Sequence, residues 1–269
     1  MKKHVIFSLA GLALSVSLVF SAQAAQALRV AADPVPHAEI LAQVKKIDPS
    51  LNLNIVELTS GVNANELLAH GDVDANYFQH VPYLRDQEKA LGKEFVVAAT
   101  VHLEPLGIYS RKHKILSEVP NNGTVALPNN VTNLSRALYL LQSQGLIKLK
   151  SGYKDPAKVQ ATPQDIAENP KNLKIVEIEA PQLPRSLDDV DLAVINGNYA
   201  LEAGLTPAKD ALGLESAANN PYANILVTTS ALKEDPRVRR LAQDLESGQI
   251  ADFINSRYNG SVIPVAGQK

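Results

Sequence analysis

Asp72-Val73-Asp74-Ala75-Asn76-Tyr77-Phe78 and Asp189-Val190-Asp191-Leu192-Ala193-Val194-Ile195-Asn196 are two stretches of one kind. Each opens on an acidic turn, runs as a short strand, and ends in polar or aromatic residues. Two ordinary turn–strand units would match this way by coincidence. The alternative is two similar α/β lobes, each offering a strand end to a shared cleft. In open α/β sheets a ligand lies beyond the carboxyl ends of the strands. On that reading Phe78 and Asn196 face one site from opposite sides.

Working outward, the apolar pattern alternates between short strand-like runs and helical stretches. Strands are expected over 27–32, 53–58, 73–78, 95–101, 106–110, 124–127, 173–179, 191–195 and 224–228. Helices are expected over 37–44, 63–70, 134–144 and 236–245, the second of them stopped by Gly71. Strands separated by helices imply a mixed, mostly parallel sheet with helices on both faces. The expected architecture is α/β and two-lobed, of the type II periplasmic-binding-protein kind. The lobes are placed at 25–108 plus 226–269 and at 109–225, with chain crossings near 106–110 and 224–230.

Residues 1–24 read as an export signal. Lys2 and Lys3 precede a mostly apolar run from Val5 to Phe20, and Ala22-Gln23-Ala24 is a small-x-small cleavage pattern. The run is shorter than the roughly 20 apolar residues of a spanning helix. The sequence has no cysteine, hence no disulfide and no thiolate ligand, and no cysteine to lipidate. The expectation drawn from this is a chain soluble in the periplasm after cleavage, without stable membrane insertion. With 26 Lys and Arg against 28 Asp and Glu, the chain carries no basic footprint for nucleic acid.

Three segments carry candidate chemistry. In Pro128-Asn129-Asn130-Val131-Thr132-Asn133-Leu134-Ser135-Arg136, Thr132 or Asn133 suits a helix N-cap. Free amides of that first turn attract an anion. Arg136 in the first or second turn opposes the helix dipole by a few tenths of a kcal/mol, a placement that makes sense if it shares a carboxylate with those amides. An ordinary solvated arginine is the plainer alternative. In Asn76-Tyr77-Phe78-Gln79-His80-Val81-Pro82-Tyr83, three rings and a histidine fall within eight residues of a chain that is 5% aromatic and lacks tryptophan. They suit one wall of a pocket for an apolar or thioether side chain, or a core cluster at a sheet end. Asn196, at the end of an apolar strand, offers a carbonyl oxygen to an ammonium, although Asn196-Gly197 is also a common turn pair.

Catalytic signatures are missing: there is no G-x-S-x-G, H-E-x-x-H, P-loop or G-x-G-x-x-G. The histidines are scattered without metal-ligand spacing, and no metal, cofactor or catalytic residue is expected. An enzyme on this scaffold, such as a periplasmic dehydratase, would have only His80 or Glu104 as acid or base.

Several stretches resemble the methionine-binding NlpA/MetQ-type family of ABC importer solute-binding proteins. They are 34–41 (PVPHAEIL), 74–80 (DANYFQH), 102–110 (HLEPLGIYS), 128–136 (PNNVTNLSR), 145–149 (GLIKL), 168–173 (ENPKNL), 182–189 (QLPRSLDD), 193–196 (AVIN) and 220–224 (NPYAN). Together they run in order along nearly the whole chain after the leader. The resemblance implies a bilobal fold that closes on L-methionine and delivers it to an importer permease. It implies that Arg136, helped by Asn133, holds the ligand carboxylate, and that Asn196 and Asn224 orient its ammonium. Tyr77, Phe78, His80 and Tyr83, with His102, would line the side-chain pocket. Another small amino acid or a dipeptide is the alternative ligand. Family members commonly carry a lipidated cysteine after the signal, where this sequence has Ala24-Ala25.

Overall fold

The computed structural model describes residues 26–59 and 61–265, so the expected leader lies outside the described residues. The chain builds two sheets. β1 (Leu28–Ala32), β2 (Leu53–Glu57), β3 (Ala75–His80) and β4 (Val96–Leu103) begin the first. β5 (Gly107–Tyr109) and β6 (Thr124–Pro128) begin the second. A two-stranded ribbon, β7 (Lys148–Leu149) with β8 (Ile166–Glu168), stands apart from both. β9 (Lys174–Ile178), β10 (Leu192–Ile195) and β11 (Gly213–Leu214) complete the second sheet, and β12 (Asn224–Thr228) and β13 (Ile263–Pro264) return to the first.

The six-stranded sheet runs β13-β4-β12-β3-β1-β2 and the five-stranded sheet β11-β5-β10-β6-β9. Their middles are built alike. β3 lies parallel to β1 and antiparallel to β12, with β1 parallel to β2. β10 lies parallel to β6 and antiparallel to β5, with β6 parallel to β9. The echo in the sequence is therefore structural. In both units the acid ahead of the strand binds an amide at the start of the neighbouring strand: Arg29 N–H, the second residue of β1, donates to Asp74 at 2.8 Å, and Thr124 N–H, the first of β6, donates to Asp191 at 2.8 Å. Both sheets mix parallel and antiparallel pairs more evenly than the alternating pattern implied. The departures are the returning strands β12 and β13 in one sheet and β5 and β11 in the other.

The helices are α1 (Glu39–Ile47), α2 (Ala64–His70), α3 (Val81–Leu91), α4 (Val131–Ser143), α5 (Leu183–Ser186), α6 (Gly197–Glu202), α7 (Pro207–Asp210), α8 (Pro236–Leu245) and α9 (Gly248–Tyr258). They cover both faces of both sheets, so the middle strands are buried: all of Leu192–Ile195 is apolar and buried, while β3 buries the polar side chains of Asn76, Gln79 and His80 as well. Two apolar clusters flank the first sheet, around Leu28, Ile40 and Leu241 and around Leu68, Leu84 and Ile225. Two flank the second, around Leu127, Leu138 and Leu192 and around Leu183, Leu187 and Ile195. Two lobes result, each with its own core.

Local chemistry sets the helix that matters for the site. α4 starts at Asn130, whose side chain accepts from the Asn133 amide at 3.0 Å. Thr132 and Asn133, the expected caps, sit inside the first turn instead. Asparagine at 130 was positioned to take that role because a three-residue reach from the cap side chain fits its short amide. Leu134, Ala137, Leu138 and Leu141 then recur at helical spacing and are buried. α3 is capped by His80 and carries Pro82 in its first turn, where a missing amide hydrogen costs nothing.

Candidate functional site

A cavity of about 330 Å³ opens between the two sheets. That is small for a ligand site, near the lower end of the roughly 300–1,000 Å³ range. β3 brings Phe78 and His80, and the first turn of α3 brings Tyr83; the residue after β10 is Asn196; β12 brings Asn224; α4 brings Asn133 and Arg136. All seven line this one cavity, which shares Phe78, Tyr83 and Tyr199 with a neighbouring space of about 360 Å³. The strand register explains part of the convergence, since Asn224 stands opposite His80 on one side and His102 on the other.

Tyr77 and His102, also expected to line the pocket, lie beneath it. Both are 0% exposed, and neither reaches the cavity. Alternation along β3 turns Tyr77 to the opposite face from Phe78. Tyr77 hydroxyl donates to His102 Nδ1, and His102 Nε2 donates to Glu104 at 2.8 Å. His37 reaches the same carboxylate at 3.2 Å and Asn224 Oδ1 at 3.1 Å, which ties this buried chain of polar groups to the cavity floor. Burial holds the imidazoles neutral: His102 is lowered to about 3 and His37 to about 4. Burial also raises Glu104. His37, His102 and Glu104 place ligand atoms within 4.8 Å of one another. Such spacing could hold a metal ion; His102 and His37 instead share the Glu104 carboxylate through Nε2, and His37 Nδ1 is buried without a partner.

His80 accepts the Tyr83 amide at Nδ1, 3.1 Å away, so its proton sits on Nε2 and is donated to Asn133 Oδ1 at 3.0 Å. Burial, and then the nearby Arg136 charge, lower it to about 3. With both nitrogens engaged it is a neutral wall residue, poorly placed to move protons.

Arg136 is 3% exposed. Nε and Nη2 donate to Glu215 at 2.9 and 2.6 Å, and Nη2 also donates to the Glu104 carbonyl at 2.9 Å. The Tyr222 ring lies 4.3 Å from its guanidinium carbon. Among the described residues nothing bonds Nη1. Glu104 lies in the chain crossing from β4 to β5, and Glu215 and Tyr222 lie in the crossing back from β11 to β12. The arginine is thus fastened to both crossings, which are themselves joined where the Leu106 amide donates to Glu215 at 3.2 Å.

Asn196 is the cap residue of α6, yet its side chain makes no cap bond, and its buried Oδ1 has no partner. An unpaired buried acceptor costs about 1–3 kcal/mol, so this oxygen awaits a donor. The next residue, Gly197, lets the first crossing approach: a Cβ there would stand 2.8 Å from Glu104 Cβ.

Glu215, which holds Arg136, carried no signal in the sequence, and Tyr222, though inside the 220–224 stretch, carried no role there, since nothing local ties an acid and a ring 79 and 86 positions away to Arg136. Asp33 was legible only as the end of a strand before Pro34. In the structure it lines the cavity and accepts from Asn198 Nδ2 at 2.9 Å.

Comparison with known proteins adds the following. A family model described as NlpA lipoprotein matches residues 28–266. D-methionine-binding lipoprotein MetQ of Salmonella typhi is 45% identical over 228 residues, which are 84% of this chain and 82% of that protein. Methionine-binding lipoprotein MetQ of Bacillus subtilis is 40% identical over 88% of this chain and 87% of that protein. The solved structure of a nutrient binding protein from Burkholderia cenocepacia bound to methionine superposes with a TM-score of 0.84 at 43% identity, covering 88% of this chain and 99% of that one. These findings correct the expected localisation. The family and its relatives are named lipoproteins, which are lipid-anchored, so the expectation of a freely soluble periplasmic protein does not stand. Cysteine is nonetheless absent from the sequence. Among the described residues no helix is long and apolar enough to cross a membrane.

Proposed function

This chain belongs to the NlpA lipoprotein family, and from that premise we propose that it binds methionine in the cavity between its lobes and hands it to the permease of an ABC importer. The observation that carries this reading is the cavity itself. It is small, and it is walled by Phe78 and Tyr83 on one side and by Arg136, Asn133 and Asn196 on the other. The aromatic wall suits a thioether, with sulfur–aromatic contacts of about 0.3–1.5 kcal/mol each. Arg136 Nη1 receives the carboxylate, with Asn133 beside it, and Asn196 Oδ1 accepts from the ammonium.

The lobes are taken as 25–108 plus 226–269 and 109–225, and the ligand bridges them. It makes its full set of contacts only in the closed form, and it therefore shifts the population toward closure by its differential affinity. Methionine has few heavy atoms, and a ceiling of about 1.5 kcal/mol for each caps binding near about −13 kcal/mol, or roughly nanomolar. Affinity of that order requires nearly every ligand atom to be engaged. The chain acts as a binder and not as an enzyme: both nitrogens of His80 are occupied, and Glu104 is bonded to two imidazoles.

Calorimetric titration with L-methionine, D-methionine, leucine and a methionyl dipeptide tests the reading. Saturable one-to-one binding of a methionine enantiomer, at least a hundredfold tighter than leucine, is expected. Preference for leucine or the dipeptide would replace methionine as the ligand, and no binding at all would remove the function.

A further inference from the structure

Resting on the reading of the cavity as a methionine site, we propose that Asp33 is a second anchor of the ligand's ammonium and makes a free α-amino group a requirement for tight binding. Asp33 ends β1 at the cavity edge, in the first lobe, while its partner Asn198 belongs to α6 of the second. Asn198 Nδ2 bonds Oδ2 at 2.9 Å, so the carboxyl already spans the gap that the ligand must bridge. Asn196, two residues before Asn198, lines the same cavity, and its Oδ1 is buried at that wall without a partner. One neutral acceptor and one acid thus meet at one end of α6, the combination that an ammonium with three donors requires.

Charge points the same way. The one arginine lining the inner cavity is already matched by Glu215. What remains at the cavity is acid, namely Asp33, Glu104 and Glu179; the neighbouring space adds one acid and one cation, Glu202 and Arg185. The charges acting on Asp33 are Glu104 and Glu202, with Tyr83, Tyr199 and the neutral His37 beside it; Arg185 lines the neighbouring space but is not among the groups that shift Asp33. Burial, and then Glu104, push its carboxyl up to about 7. A ligand ammonium is the missing positive charge, and its arrival drives Asp33 to its ionised form. The sign follows: the free carboxyl holds a proton below about pH 7 and the bound one does not. Binding therefore releases a proton near neutrality, and affinity falls as pH drops below about 7, by up to tenfold per pH unit.

The test compares methionine with 4-(methylsulfanyl)butanoate, which is methionine without its ammonium, on the wild-type chain and on Asp33→Asn. The variant keeps the size of the side chain, and a cooperative thermal unfolding transition with a midpoint at or above the wild type at neutral pH confirms that it is folded. Asp33→Asn is expected to weaken methionine at least tenfold and to leave the des-amino analogue within about twofold. Wild-type calorimetry in buffers of different ionisation enthalpy is expected to show proton release at pH 7. Equal loss for both ligands, or methionine affinity unchanged in the variant, overturns the role of Asp33 while leaving the methionine site standing. So does binding by the wild type that is independent of buffer and of pH between 6 and 8. Failure of the wild type to bind methionine overturns both.

Discussion

The guanidinium of Arg136 has two partners to serve, Glu215 in the protein and the carboxylate proposed for the ligand. Nε and Nη2 go to the first, and Nη1 remains for the second. The pair is nearly sealed from water, at 4% and 14% side-chain exposure, and removing one partner of such a pair typically costs about 3–5 kcal/mol. Arg136→Ala is therefore expected to abolish methionine binding and also to lower stability in urea titration by about that amount. Adding Glu215→Ala should return much of the stability and none of the binding. If the double variant were as unstable as the single one, Glu215 would not be the partner that matters. Asn196 behaves in the opposite way. Its buried oxygen lacks a donor, so Asn196→Ala should leave the unliganded protein as stable or up to about 2 kcal/mol more stable, while ligand affinity falls about tenfold or more. The sequence marked both residues because each stands where a short apolar element begins or ends. It could not mark Glu215, Tyr222 or Asp33, whose meaning arises only when distant segments meet.

Among the elements, α4 carries the site on a rigid support. Asn130 caps it, and Leu138 anchors it in the second lobe, fully buried. Asn130→Ala should cost about 1 kcal/mol and loosen the turn that holds Asn133 and Arg136, which a parallel drop in unfolding midpoint and ligand affinity would register. Leu138→Ala should cost about 2–5 kcal/mol of stability with a smaller change in affinity. The strong elements were legible: β12 matches its expected bounds of 224–228 and α8 those of 236–245, and the turn-strand repeat located β3 and β10. α3 and α9 were not. α3 starts at Val81 directly after β3 with no intervening loop, and α9 follows α8 across a single turn, so neither has a break that separates it from its neighbour. Strand direction was also hidden. β5 and β12 read like any other buried strand, and only the long-range return of the chain sets them antiparallel.

For the whole molecule, acid sensitivity follows from what the lobes bury. His37, His80 and His102 sit neutral in the fold, at about 4, 3 and 3, against roughly 6.5 when unfolded. Below about pH 6.5 the unfolded chain takes up protons that the fold refuses, so stability is lost as pH falls from there toward 4. Asp33, raised to about 7, acts in the opposite sense between about pH 4 and 7, and Glu104, also raised, acts in the same sense as Asp33. The three histidines outweigh these two carboxyls. The unfolding midpoint should therefore fall between pH 7 and 5, and more steeply in Asp33→Asn, which removes one opposing group. A flat profile would mean that the imidazoles are solvated in the working protein.

The account stands on one zwitterion bridging two lobes, and a crystal structure grown with saturating methionine tests it most directly. The expected result is methionine between the carboxyl ends of β3 and β10, its carboxylate on Arg136 Nη1 and its thioether against Phe78 and Tyr83. Methionine bound elsewhere, or a cleft closed without it while Arg136 contacts only Glu215, Glu104 and Tyr222, would contradict the account.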